Sequence, residues 1–194
     1  SSDVCSSDLL NLQHAFIAIE DERFYEHNGI DMKGILRAAS ITLSSGHMSQ
    51  GASTITQQLI KNNVFNAYNE SDIEKIKRKV QEQYLAIKLE TVMSKKSILE
   101  NYLNTINLGN GYYGVQAAAK GYFNKDVSEL SLSECAVIAS ITKSPTGLNP
   151  IRHADRNRDR QSQVLLNMKD QGYISQAEYD DALTDDVYAR LEGI

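Results

Sequence analysis

The chain has 194 residues, 41% hydrophobic and 23% charged, with a formal net charge of −5. That length supports one domain with a sizeable core, or one domain and a small lobe, and the composition is ordinary for a folded protein. The acidic balance argues against nonspecific nucleic-acid binding by the whole domain, and no run approaches the ~18 apolar residues of a membrane span, so an anchor, if the protein works at a membrane, is expected outside this chain.

Residues 1 to 9 repeat Ser-Ser-Asp within Ser-Ser-Asp-Val-Cys-Ser-Ser-Asp-Leu. This polar stretch predicts a disordered tail or a foreign junction over 1–10, ahead of a domain at 11–194. Cys5 falls in the tail. Cys135 lies in an apolar run and reads as a small core residue, so the two do not form a disulfide framework or metal site. Asn11 to Glu20 suits a helix whose C-terminal end carries Glu20-Asp21-Glu22-Arg23-Phe24-Tyr25-Glu26-His27-Asn28-Gly29. The apolar run Ala15–Ile19 feeds directly into these acids. Desolvation disfavours a charged carboxyl, so Glu20 is expected to be tuned towards proton transfer near neutral pH. Asn28-Gly29 predicts a turn, and His27 a hydrogen-bonded brace for it.

Asp31 predicts the N-cap of a second helix, with Met32, Ile35, Leu36 and Ala39 on one face. The Ser/Gly segment Ser44–Gly51 breaks it. In Gly51-Ala52-Ser53-Thr54-Ile55-Thr56-Gln57-Gln58, Thr54 and Gln57 have capping-box spacing, with Ser53 as the alternative cap. The new helix end offers N–H groups, hydroxyls and partial positive charge, and Lys61 follows about one turn on, a combination suited to phosphate. Ser71 and Glu74 form another capping box, opening the longest helix, to about Met93. There Ile73, Ile76, Val80, Tyr84 and Ile87 recur at helical spacing and predict one buried stripe. Arg78, Lys79 and Glu82 stand beside it. As a surface pair, Arg78 before Glu82 is the weaker order and is worth a few tenths of a kcal/mol at most (~0.3), which weakly motivates a purely stabilising role.

Ser94 predicts the cap of a helix with Ile98, Leu99, Tyr102 and Leu103 in the core. A loop at Asn107–Gly111 follows, then a short helix from Gly114 to Phe123. Ser131 with Glu134 opens a buried helix to about Ile141, and Pro145–Pro150 makes a turn. His153 to Asp170 predicts an Arg-rich, polar-faced helix stopped by Gly172, and Ser175 with Glu178 caps the last. Only two prolines occur, and no strand pattern is found, so the fold class is all-α.

Four motifs in order, Glu20-Asp21-x-x-Phe24-x-x-His27-x-Gly29, Gly51-x-Ser53-Thr54-Ile55-Thr56-Gln57-Gln58, Arg78-Lys79-x-x-Glu82 and Ile98-Leu99-Glu100-x-Tyr102-Leu103-Asn104, resemble the peptidoglycan glycosyltransferase domain of class A penicillin-binding proteins, glycosyltransferase family 51. The resemblance runs from about Asn11 to Pro150. It implies a lysozyme-like all-α fold with a large head lobe and a smaller membrane-facing lobe. It implies an enzyme that polymerises lipid II into a growing glycan strand, with inversion and with undecaprenyl diphosphate as leaving group. By motif position Glu20 is the general base and Glu82 the second glutamate. Asp21, Ser53, Thr54, Gln58, Lys61, Arg78 and Lys79 are the substrate-binding set. A divalent cation (Mg or Mn) bound with the diphosphate is implied, near that group or near Glu20, and no organic cofactor. The implied setting is the outer face of the bacterial cytoplasmic membrane, with fusion to a transpeptidase domain, inhibition by moenomycin-type compounds and no nucleic-acid partner.

The chemistry of the residues agrees with that resemblance. A hydroxyl needs a base to become a nucleophile, a departing diphosphate needs cations and N–H donors, and two separated carboxylates suit inversion. Cations beside Glu82 would keep it ionised while Glu20 is the tuned acid. A lysozyme-type hydrolase would not need the Lys/Arg cradle. Ser140-Ile141-Thr142-Lys143 matches the Ser-x-x-Lys of acyl-serine transpeptidases without a following Lys-Thr-Gly. Arg152, Arg156, Arg158 and Arg160 as a binding face are interleaved with Asp155 and Asp159, which reads as a solvated helix. Tyr102 and Asn104 read as scaffold. Ile35, Leu36, Ile41, Leu43 and Met48 are candidates for touching the bilayer or lipid tail, with core packing the simpler expectation.

Overall fold

A computed structural model describes residues 9–46, 51–65 and 69–192. Among them no strand occurs, and the all-α expectation is met; the β-type pairing is one antiparallel bridge between Asn107 and Tyr113. The chain divides into two compact units, Ser1–Glu22 with Leu103–Ile194, and Arg23–Tyr102. The expected tail (with Cys5) lies outside the described residues up to position 8, as does Met48; Leu9, just ahead of the first helix, is buried.

The larger unit contains α1 (Leu10–Glu20), α6 (Val115–Phe123), α7 (Leu132–Ser140), α8 (Ala154–Asp170) and α9 (Gln176–Thr184). Helix α1 packs on α7 and α8, and these pack on each other. Phe16, Ile17, Val137, Ile138, Leu165 and Met168 are fully enclosed there. Burying each such side chain contributes roughly 1.5–3 kcal/mol, so the seam fixes the end of α1. The capping boxes at Ser131–Glu134 and Ser175–Glu178 both form. Cys135 is buried as expected, and burial pushes its thiol up to about 12. The polar face of α8 is not simply solvated. Asn157 donates to the Val137 and Leu148 carbonyls and accepts from the Tyr188 hydroxyl, all within the core.

The smaller unit contains α2 (Met32–Ser45), α3 (Ile55–Val64) and α4 (Asp72–Val92); α5 (Lys95–Thr105) begins within it. Asp31 caps α2 by accepting from the Gly34 N–H, and Ser71 with Glu74 caps α4. Phe24, Ile55, Ile98, Leu99 and Tyr102 are its buried large side chains. Helix α4 packs on α3 and buries Glu82 and Ala86. The expected buried stripe of α4 is instead outward: Ile73, Ile76, Val80 and Tyr84 are each at least 60% exposed and Ile87 is 41% exposed. Periodicity correctly put these residues on one face, but the face that meets α3 is the one bearing Glu82. On α2 the core-packing expectation likewise fails for Leu36, Ile41 and Leu43, which are exposed, while Ile35 is half-buried.

Candidate active site

In the larger unit the site residue is Glu20, the last residue of α1. Ala15, Phe16, Ile17 and Ala18 are buried just before it, so the helix end is rigid. The carboxylate is not left in an apolar pocket. Its Oε1 accepts the Thr142 hydroxyl and lies 3.2 Å from Arg160 Nη2. The side chain is 12% exposed and that of Arg160 is 19% exposed. The Ala139 carbonyl, 3.1 Å from Thr142 Oγ1, is a second acceptor for the same hydroxyl. Asp21 is the C-cap of α1, its backbone N–H donating to the Ile17 carbonyl, and it is buried.

Neither Thr142 nor Arg160 was among the site residues expected from sequence. Thr142 lay inside the Ser140-x-x-Lys143 match, and Ser140 itself is a buried helical residue whose hydroxyl donates to the Ala136 carbonyl, as a coincidental match requires. Arg160 lay in the arginine run. Its helical spacing from buried Asn157, Gln161, Val164 and Met168 was the available signal, since it shares their side of α8. Arg158, by contrast, is surface-lying, over the Tyr188 ring at 4.7 Å.

In the smaller unit Thr54 is the N-cap of α3, in a complete capping box with Gln57. Its hydroxyl accepts from the Gln57 N–H and donates to the Gly29 carbonyl at 2.7 Å, and the residue is 1% exposed. Thr54 therefore binds α3 to the turn after the acidic motif and has no hydroxyl proton left for a ligand. Gln58 Oε1 accepts from the Tyr102 hydroxyl at 3.0 Å, which gives Tyr102 the scaffold role expected of it. Lys61 is exposed on α3.

Arg78, Lys79, Glu82 and Ser53 come together. Arg78 pairs with Glu82, and its Nε lies 2.8 Å from both oxygens of Glu70. Lys79 Nζ is 3.3 Å from Glu82 Oε2 and 3.4 Å from Ser53 Oγ. The Glu82 side chain is 0% exposed, so this is no surface pair, and removing one partner would leave a buried charge at a cost of about 3–5 kcal/mol. Burial works against the Arg78 charge, but Glu70 and Glu82 outweigh it and its pKa is raised. Arg78 is thus shared between two carboxylates, while the Lys79 side chain remains 47% exposed and is the better placed of the two to meet an anion. Glu70, missed in the sequence, completes the cluster.

The turn carrying Gly29 is braced from several sides within this unit. His27 Nδ1 accepts the Gly29 N–H at 3.1 Å. Arg23 forks onto Asp31, with Nη2 at 2.6 Å. Glu90 accepts from Lys95 at 2.8 Å and Thr56 at 2.7 Å. Gly29 has φ +100°, and a Cβ there would lie 2.6 Å from the Ala86 backbone, so glycine is required for the turn to meet α4. Among the described residues no group of three His, Cys, Asp or Glu side chains is placed to hold a metal ion.

Residues 7–169 match the family model described as Transglycosylase. Penicillin-binding protein 1A of Escherichia coli strain K12 is 50% identical over 175 residues, covering 90% of this chain and 20% of that protein. Penicillin-binding protein 1A of Vibrio cholerae is 50% identical over 182 residues, covering 94% of this chain and 22% of the relative. The chain therefore spans about a fifth of the length of these curated relatives. The crystal structure of penicillin-binding protein 1A from Haemophilus influenzae aligns at 48% identity and TM-score 0.47, over 48% of this chain and 14% of that one.

Proposed function

The chain belongs to the transglycosylase family, the peptidoglycan glycosyltransferases of class A penicillin-binding proteins, and from that premise we propose how its residues work. The substrate is lipid II and the product a lengthening glycan strand. The 4-hydroxyl of the acceptor N-acetylglucosamine attacks C1 of the donor N-acetylmuramic acid. The new C1–O bond forms as the bond to undecaprenyl diphosphate breaks, with inversion at C1. Glu20 takes the hydroxyl proton.

The observation that carries this reading is the setting of Glu20: a half-buried carboxylate at the end of an enclosed helix, held by Thr142 and Arg160. A base must be ionised and aimed. The Thr142 hydroxyl and the Arg160 guanidinium, both on Oε1, limit its rotation. Negative charge that develops on the leaving diphosphate is met by Lys79, with Lys61 and the N-terminal turn of α3. Glu82, the second glutamate, supports the leaving-diphosphate side by holding Arg78 and Lys79. Ser53, Gln58 and Asp21 complete the substrate-binding set, and Thr54 supports it through its cap. A divalent cation (Mg or Mn) would be bound together with the substrate diphosphate. The enzyme acts where lipid II is presented, on the outer face of the cytoplasmic membrane, as one part of a longer protein that includes a transpeptidase domain, and moenomycin-type compounds compete for the diphosphate residues.

Polymerisation of lipid II in detergent with Mg²⁺ tests the reading. Wild type is expected to make strands and a folded Glu20→Gln none. Thr142→Val should lose roughly ten- to a hundredfold in kcat, since a misaimed base costs rate on that scale, with KM little changed. Strands from Glu20→Gln at the wild-type rate would exclude Glu20 as the base.

A further inference from the structure

Glu90 stands in the last turn of α4 and has no part in the mechanism proposed above. Its side chain is 6% exposed, at a place where three other segments of the smaller unit meet. Its Oε1 accepts from the Thr56 hydroxyl of α3 at 2.7 Å and from Lys95 Nζ, at the start of α5, at 2.8 Å. His27 Nδ1, in the turn that follows α1, lies 3.9 Å from the same oxygen. Lys95 is held on two further sides, its Nζ 4.6 Å from the centre of the Phe24 ring and 3.5 Å from His27 Nδ1. Thr56 is fully buried.

These contacts close a circuit around the first turn of α3. Thr54 donates to the Gly29 carbonyl, the Gly29 N–H donates to His27 Nδ1, Lys95 bridges His27 and Glu90, and Thr56 leads back from Glu90 to α3. The same end of α3 is met from elsewhere on α4 by Lys79, whose Nζ is 3.4 Å from Ser53 Oγ. Lys79 and Glu90 share one helix and are separated by about 16 Å of its rise. They reach opposite ends of Ser53–Thr56, so α4 grips the start of α3 at two points. One such contact leaves a helix end free to pivot, and two fix its direction. Packing alone does not call for a tie of this kind, because apolar side chains of similar volume often stabilise as well as a buried ion pair. A satisfied polar network adds a single rigid arrangement. Lys79 and the first turn of α3 are the groups that face the charge of the leaving diphosphate, which is where a rigid arrangement has a use.

We propose that Glu90 is a positioning residue for the leaving diphosphate: held by Lys95 and acting through Thr56, it sets the first turn of α3 against Lys79. This rests on the function proposed above and extends it to residues that touch no substrate. As the bond from C1 to the diphosphate breaks, its electron pair passes to the departing oxygen, and the diphosphate gains negative charge. Donors fixed in place count most at that stage. Loosening the start of α3 should therefore lower kcat and leave KM for lipid II little changed.

The test pairs kinetics with binding. Thr56→Val removes the tie to α3 and leaves Glu90 its cation. It should lower kcat for lipid II polymerisation about tenfold, within the hundredfold that a misplacement of ~1 Å can cost. Thr56→Ser keeps the hydroxyl and should keep most of the rate. Glu90→Gln should also lose rate, and the double variant should lose less than the two losses combined, because both act on one contact. Inorganic pyrophosphate with Mg²⁺, titrated into the ¹⁵N-labelled chain, stands for the departing group. The amides of Ser53, Thr54, Ile55, Thr56 and Gln57 are expected to shift, and Thr56→Val should weaken that binding about tenfold. A Glu90 that only braces the fold would, when its tie is cut, lower Tm and leave kcat per folded molecule and pyrophosphate affinity at their wild-type values. That result, a Thr56→Ser no better than Thr56→Val, or no pyrophosphate shifts at α3 would overturn the proposal. Strands from the wild type and an equal kcat in Thr56→Val reject the positioning role alone. A chain that makes no strands, but whose pyrophosphate binding weakens in Thr56→Val, supports the positioning role and rejects the function.

Discussion

Replacing Arg78 by Met should unfold the protein far more readily than its helix-surface position suggests. The substitution leaves the Glu82 carboxylate, 0% exposed, with Lys79 as its remaining cation. Lys79 is 3.3 Å away and nearly half exposed, and an exposed ion pair of that kind is worth about 0.2–1 kcal/mol. Removing one partner of a buried pair costs about 3–5 kcal/mol, because the other charge stays desolvated. Glu70 also loses its partner, but its side chain is 14% exposed and can turn to water. The expected total is therefore about 3–5 kcal/mol, or a fall in Tm of ~6–20 °C for a chain of this size. Urea unfolding followed by far-UV circular dichroism measures it. The double variant Arg78→Met with Glu82→Leu removes both charges, and should recover most of the loss. Stability of Arg78→Met within ~1 kcal/mol of wild type, or a double variant no better than the single, would refute a buried Glu82.

Gly29→Ala should cost ~3 kcal/mol or more, from positive φ and from a Cβ placed 2.6 Å from the Ala86 backbone; an unchanged thermal transition would show that the turn does not approach α4. The Arg23 hydrogen bond pulls the Asp31 carboxyl below its ordinary value, helped by the Gly34 N–H and opposed by burial. Its folded pKa is thus below its unfolded one, so its stabilisation is present above about pH 4 and is lost as pH falls through the lowered folded value. Asp31→Asn should flatten that acid limb in unfolding free energies measured from about pH 5 downward, and an unaltered limb would assign the effect elsewhere. Ile76→Ser and Val80→Ser, on the outward stripe of α4, should change stability by no more than ~0.5 kcal/mol; losses of ~2–5 kcal/mol would mean that the stripe is covered.

The helix ends were the most legible part of the fold. Thr54 with Gln57, Ser71 with Glu74, Ser131 with Glu134 and Ser175 with Glu178 all form the caps their spacing predicts, because a capping box is a local bargain between neighbours. The α4 stripe was misjudged because spacing says which residues share a face and not which face finds a partner. In the site, the contacts within a turn or two of helix, such as Arg78 with Glu82, could be anticipated. The spacing of Arg160 could show that it faces inward, but not that it and Thr142 meet Glu20, from which they lie 140 and 122 positions further along the chain. Chain-distant contacts leave no periodic trace. Thr54 carries a long-range contact of the same kind: its hydroxyl donates to the Gly29 carbonyl, 25 positions earlier, which its capping-box spacing does not announce.

The discontinuity of the larger unit bears on how the chain is made. Helix α1 packs on α7 and α8, and Arg160 is 140 residues beyond Glu20. At synthesis rates of about 5–20 residues per second, α1 waits roughly 7–28 s for its partners to emerge. During that interval Phe16 and Ile17, fully enclosed in the finished fold, have no partner from α7 or α8. The segment Arg23–Tyr102 is continuous and can begin to condense during that wait. The helix that carries Glu20 is thus made well before the helices it packs on and cannot settle until they follow. Until α8 is complete, the apolar face of α1 is therefore the part of the larger unit whose exposure depends on the pace of synthesis.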